Sequence, residues 1–147
     1  MATTNSTEYD KAVGNPPTYA GNQLLPNEHY GRKRTAFASR TLTAADVQNG
    51  VINLFKLPAG ARILTGRFAF DDMGTGITVD IGPSDNPDGL LDGQDTATAA
   101  GVVEIGAISQ ALFGLVLSAD TIFTLTILGG DPTVGAVVKV ELEWVLD

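Results

Sequence analysis

From Val51 to Phe70 the chain reads VINLFKLPAGARILTGRFAF, with apolar side chains at alternate positions on both sides of Pro58-Ala59-Gly60. Ile52 and Leu54 share one face of the first half, and Val51, Asn53 and Phe55 the other. In the second half Leu64, Phe68 and Phe70 lie together, opposite Thr65 and Arg67. A period of two predicts strands with one buried side, and Pro then Gly between two such runs is turn chemistry. The stretch therefore predicts a central hairpin, with the rest of the chain built to cover it.

The same period predicts strands over Thr35 to Arg40 with Phe37 inward, over Ile77 to Ile81, and over Val102 to Ile108. Thr121 to Leu128, TIFTLTIL, places Phe123, Leu125 and Ile127 on one face and Thr124 and Thr126 on the other. Val137 to Leu146 is the most regular: Val138, Val140, Leu142, Trp144 and Leu146 oppose Lys139, Glu141 and Glu143, which makes Trp144 a core plug. Leu42 to Gly50 reads as a connection in which Thr43 can cap a helical turn and Asn49-Gly50 marks a reversal. Gly82 to Asp95 reads as irregular, and Gln110 to Leu117 as a short strand or turn. No amphipathic helix of ordinary length and no long repeat occurs. About seven to nine short strands between Gly, Pro and Asp turns predict an all-β protein, an antiparallel β-sandwich or jelly-roll-like body.

That body spans residues 31–147 and follows an extended N-terminal arm, residues 1–30. The arm is polar and punctuated by Gly14, Asn15, Pro16, Pro17, Gly21, Asn22 and Pro26. Alone it buries too little apolar surface to offset its ordering entropy, so it is expected to be flexible until a neighbour holds it. All three tyrosines, Tyr9, Tyr19 and Tyr30, lie in the arm, whereas the six phenylalanines and Trp144 follow it. Phe suits a dry core; Tyr, with its hydroxyl, suits a half-wet contact between chains. The arm reads as a strap over a partner, against the plainer reading that its tyrosines tack it onto its own body. Behind it comes the only dense basic cluster, Arg32, Lys33 and Arg34, which can pair with acids on an adjacent subunit, touch phosphate, or begin a solvated strand. Tyr9, Tyr19, Tyr30, Arg32, Lys33 and Arg34 are the candidate partner-binding residues.

Charge sharpens this division. The formal net charge of the 147 residues is −8, but eight Lys and Arg face four Asp and Glu up to Arg67, and one Lys faces thirteen acids beyond it. Two surfaces with different partners fit that asymmetry, and an acidic body repels nucleic acid. The plainer reading is that the acids keep a β-rich protein in solution. At this length roughly 70% of the unfolded surface can be buried, so the core needs no staples. No apolar run reaches the roughly 20 residues that cross a bilayer, and Met1 to Val13 lacks a signal pattern. A soluble protein that either stays in the cell that makes it or leaves by assembly or lysis is expected.

The chemistry of catalysis is missing. There is no cysteine and one histidine, His29, in the arm, so no Ser-His-Asp or Cys-His arrangement can be drawn. Carboxylates alone suit zinc poorly, and no strand leads through a phosphate-binding glycine motif into a helix. Asp71 and Asp72 are adjacent and point apart on a strand end. The acids of Asp85 to Asp95 invite calcium, but Pro87 interrupts the ligand alternation and no Glu closes the loop. No enzyme, no cofactor and no metal site is expected.

Residues 31–147, read through GRKRTAF, LFKLPAGARIL, TVDIGPSDNPDGLLDG and ELEWVLD behind a polar arm, resemble the capsid decoration or cement proteins of tailed bacteriophages. The resemblance implies a non-enzymatic virion structural protein with a β-sandwich body, a homotrimer or similar cluster on the capsid exterior. Its partners would be the major capsid protein and copies of itself, contacted through the arm, with neither nucleic acid nor membrane involved. Rival readings are a phage tail or fibre component and a host-surface or carbohydrate-binding module, the latter wanting exposed aromatics on the body.

Overall fold

A computed structural model describes residues 32–97, 99–105 and 114–146. The described residues form eight strands and no helix: β1 (Arg34–Thr41), β2 (Val51–Leu57), β3 (Ala61–Phe70), β4 (Thr78–Pro83), β5 (Leu91–Asp95), β6 (Gly101–Ile105), β7 (Thr121–Leu128) and β8 (Val137–Leu146). They pair into two antiparallel four-stranded sheets, ordered β1-β8-β3-β6 and β2-β7-β4-β5. The inner faces meet in one core, where Phe68 and Leu142 from the first sheet pack with Phe123, Leu125 and Ile127 from the second. Full burial of each such side chain contributes about 1.5–3 kcal/mol. This is the sandwich that the alternating pattern predicts. The arm, residues 1–30, lies outside the described residues.

The central hairpin does not form. β2 and β3 meet at the expected Pro58-Ala59-Gly60 turn but belong to different sheets. Only β4 and β5 are neighbours both in sequence and within a sheet; each other connection passes between sheets. Turn residues reverse the chain without choosing its pairing partner, and a buried face can be covered from across the sandwich as well as from beside it.

Both strands also carry a bulge, one extra residue that resets the inward phase. Leu54 is the extra residue of β2 opposite β7, and Leu64 that of β3 opposite β8. Leu64 is thus only half-buried while Ile63 fills the core, and Phe55 leans in against Phe123 with ring centroids 5.7 Å apart. Phe37, expected inward, is 60% exposed. In β1 it is Ala36 that packs against the core, and the register sets Phe37 beside the outward Glu141. β5 falls inside the stretch expected to be irregular. Of Val102 to Ile108, β6 takes the first part and residues 106–108 lie outside the described residues. The Thr43 segment makes a turn (Asp46 N–H to Thr43 carbonyl, 3.0 Å) rather than a helical turn.

Because successive strands run in opposite directions, residues 42–50, 71–77 and 129–136 gather at one end of the sandwich. They are stitched there: Leu42 N–H donates to Ala136 O, Gly135 N–H to Leu42 O, and Thr133 N–H to Met73 O, each at 2.8 Å. Met73 is fully buried beneath them. The opposite end holds the start of β1, the end of β8 and the 58–60 turn, since Arg34 pairs with Trp144 and Ala61 with Leu146.

Candidate interaction surface

The outer face of the first sheet is the most differentiated surface among the described residues. Its strand registers align Phe37, Glu141, Arg67 and Glu104 in one row across β1, β8, β3 and β6. Ser39, Lys139, Ala69 and Val102 form the next row. Phe37 stands on one margin and Val102, 67% exposed, on the other. Between them the small side chain of Ala69 leaves a depression of about 250 Å³, bounded by Arg67, Lys139 and Glu141. It continues into a second of about 410 Å³ that runs past Gly101 and Ala100 toward Asp71 and shares Ala69, Val102 and Lys139 with the first. The floor is apolar and small, and the rim is charged. Arg67 Nη2 donates to Glu141 Oε1 at 3.2 Å, an exposed pair whose contribution to stability is about 0.2–1 kcal/mol. Such a trough suits a ring with a polar tip.

The other face is plainer. Thr124, on β7, turns outward yet is buried, and its hydroxyl donates to Gly82 O at 3.3 Å.

The acids at the end of the sandwich above Met73 serve as turn acceptors. Val137 N–H donates to Asp71 Oδ2 (2.8 Å), Gly74 N–H to Asp72 Oδ1 (2.9 Å) and Gln48 N–H to Asp131 Oδ1 (2.8 Å). Asp71 therefore faces the start of β8 and Asp72 its own turn. On either side of the acidic stretch, Gly93 N–H donates to Asp80 and Ala97 N–H to Asp95. Among the described residues no group of three or more acidic or histidine side chains is placed to hold a metal ion.

Among the described residues Asp46 is the one carboxylate drawn inside, with a side chain only 6% exposed. Its Oδ1 accepts from Arg40 Nε (3.0 Å) and Nη2 (2.7 Å), and its Oδ2 accepts from the Thr43 N–H (2.8 Å) and hydroxyl (3.1 Å). Burial pushes this carboxyl up, but the Arg40 and Thr43 hydrogen bonds together with the Arg40 charge outweigh it and hold Asp46 below the ordinary carboxylate range. Asp120, in the open, is held down by its hydrogen bond from Lys56, by the Ala59 N–H and by the Lys56 charge.

Of the six residues that sequence nominates for partner binding, Tyr9, Tyr19 and Tyr30 lie outside the described residues. Arg32 is exposed just ahead of β1. Lys33 pairs with Glu143 of its own chain, and the Arg34 guanidinium sits 5.2 Å from the Trp144 ring centroid, a cation–π contact. Trp144 is buried as expected, and its Nε1 has no hydrogen-bond partner among the described residues. Sequence reasoning missed Phe37 and Val102. The signal for Phe37 was its flanking by two alanines, which fit a narrow inner face better than a ring does. For Val102 next to Val103 the pattern offers no choice of phase.

No known family model matches the chain, and no curated protein matches it. Solved structures do. The chain is similar to one in the capsid of Ralstonia phage GP4, with a TM-score of 0.67 and 21% identity over 80% of this chain and 86% of that one. A chain of the cyanophage Pam1 capsid asymmetric unit gives a TM-score of 0.59 and 20% identity over 90% and 99%. One from the acidic stable capsid of Helicobacter pylori bacteriophage KHP30 gives 0.60 and 14% over 78% and 87%. At these identities the likeness is one of fold.

Proposed function

We propose that this protein is a non-enzymatic structural component of a phage virion that binds the outer surface of the capsid and stabilises it, with its arm contacting neighbouring subunits. The observation that carries the reading is that three matched chains, each from a phage capsid, are covered over 86%, 99% and 87% of their own length. The shared unit is therefore almost the whole of each chain. The order β1-β8-β3-β6 over β2-β7-β4-β5 is, on this reading, a jelly roll, an arrangement that capsid proteins use. A protein that binds only the assembled shell adds its binding free energy to shell stability, and several arms engaging together from one homotrimer multiply the effect. The major capsid protein would supply the surface, and the acidic body would face outward.

Co-sedimentation with empty, expanded shells tests this, alongside the solution mass of the free protein. The full chain is expected to pellet with shells and raise their melting temperature. A chain lacking residues 1–30 is expected to remain folded and stay in the supernatant; equal shell occupancy without the arm would overturn the strap. Location in a virion map on the tail rather than the head lattice would overturn the capsid assignment.

A further inference from the structure

We infer that the depression between Phe37 and Val102 on the outer face of the first sheet seats a tyrosine from the N-terminal segment of a neighbouring copy. The inference rests on the arm having the strapping role proposed above, and it names where the strap lands. The chemistry of the trough selects the class of ligand: a small apolar floor at Ala69 and Gly101, with charged groups at the rim. An aromatic ring buries about 150–250 Å² and, if it is Tyr, keeps its hydroxyl at a wet edge. In this chain every tyrosine lies ahead of Arg32, on 31 residues that lead directly into β1, the margin of this same sheet.

Reach rules out the chain's own Tyr30 and makes its other tyrosines depend on a reversal of the chain. The trough lies level with Ser39, seven residues along β1 from Arg32, a rise of about 23 Å at 3.3 Å per residue. Tyr30, two residues before Arg32, spans only about 7 Å and falls short of its own trough. Tyr19 could arrive only if the chain reversed ahead of β1 and ran back over its own sheet. Laid out in extended form, Tyr9, Tyr19 and Tyr30 stand about 33–36 Å apart, close to the length of the ten-residue β8. An arm that simply continues away from its body therefore presents one tyrosine per body length, the spacing needed to anchor on adjacent copies.

Because the chain has no cysteine, a disulfide test is clean. Full-length Glu8→Cys, Thr18→Cys and His29→Cys, each placing a thiol beside an intact tyrosine, are mixed one at a time with full-length Ser39→Cys and oxidised, both free and on shells. At least one pair is expected to give about tenfold more linked heterodimer than the same arm variant mixed with Asn53→Cys on the opposite sheet, reflecting the raised effective concentration of docked segments. Adding Ala69→Trp to the Ser39→Cys partner, which fills the trough, is expected to abolish that excess. Equal linking to Ser39→Cys and Asn53→Cys, or an excess that survives Ala69→Trp, overturns the seat. So does linking that stays within one chain in the Thr18→Cys, Ser39→Cys double variant. If the full chain still pellets with shells in those cases, the capsid reading stands without this seat; failure to pellet sinks that reading separately.

Discussion

Replacing Asp46 with Asn changes almost no volume and removes one charge from a carboxylate that is 6% exposed and accepts four hydrogen bonds. Asn offers one carbonyl oxygen, so either the Arg40 contacts or the Thr43 contacts are lost, and the amide hydrogens then face donors. A hydrogen bond to a charged group contributes about 1.5–3 kcal/mol, and these four act as one unit, so the expected loss is about 2 kcal/mol rather than their sum. For a domain of this size that corresponds to a melting temperature lower by about 4–8 °C. The loss must depend on pH. The folded pKa of Asp46 lies below its unfolded value, so the carboxylate contributes in full above the unfolded pKa, and its contribution disappears as pH falls through the folded value. The deficit of Asp46→Asn against the parent should therefore be largest near neutrality and shrink below about pH 4. Urea unfolding followed by the fluorescence of Trp144, the only tryptophan, reads it directly. A cycle with Arg40→Gln should give a favourable coupling. Equal stability of parent and Asp46→Asn at pH 7, or a deficit unchanged to about pH 2.5, would refute the argument.

Other sites give sharper contrasts. Gly66→Ala would set a Cβ 2.5 Å from the Glu141 carbonyl oxygen and 3.0 Å from Leu142 Cδ1, inside the most densely paired part of the first sheet. A loss of about 1–3 kcal/mol in urea unfolding is expected, and a neutral result would mean that β3 and β8 are not so close. Phe123→Ala empties a fully buried site where both sheets meet and should cost about 3–5 kcal/mol. Phe37→Ser, by contrast, should leave thermal stability within about 0.5 kcal/mol, because the ring is exposed; a large loss would return Phe37 to the core.

Much of this body could be read from the amino acids, and the failures have physical causes. The bounds of β7 and β8 were legible, because a period of two holds over most of their eight and ten residues, although Leu146, expected inward, is exposed at the end of β8 and Val145 is buried. Bulges defeat the same logic: once Leu54 and Leu64 are extra residues, everything on one side of each changes face, and nothing local announces it. β5 was invisible since LDGQD buries only Leu91 and passes through Gly93 at φ 60°, so it looks like a loop and becomes a strand by pairing with β4. Phe37 misled because size argues for burial, whereas β1 is a margin that turns Ala36 and Ala38 inward instead. Of the candidate interaction surface, sequence could name the tyrosines and the basic cluster. The trough needed the cross-strand register, which no single strand contains.

Among the described residues the first strand and the last are hydrogen-bonded to each other along the whole of β1, from Arg34 opposite Trp144 to Thr41 opposite Val137. Six strands separate those partners in the sequence, so β1 waits unpaired until Val137–Leu146 has been made. A sheet closed by sequence-distant pairing forms slowly and only once its final strand is free. Each newly made molecule is thus committed late, and the leader ahead of Arg34 is given a fixed point of departure only when the C-terminal strand has locked in beside it.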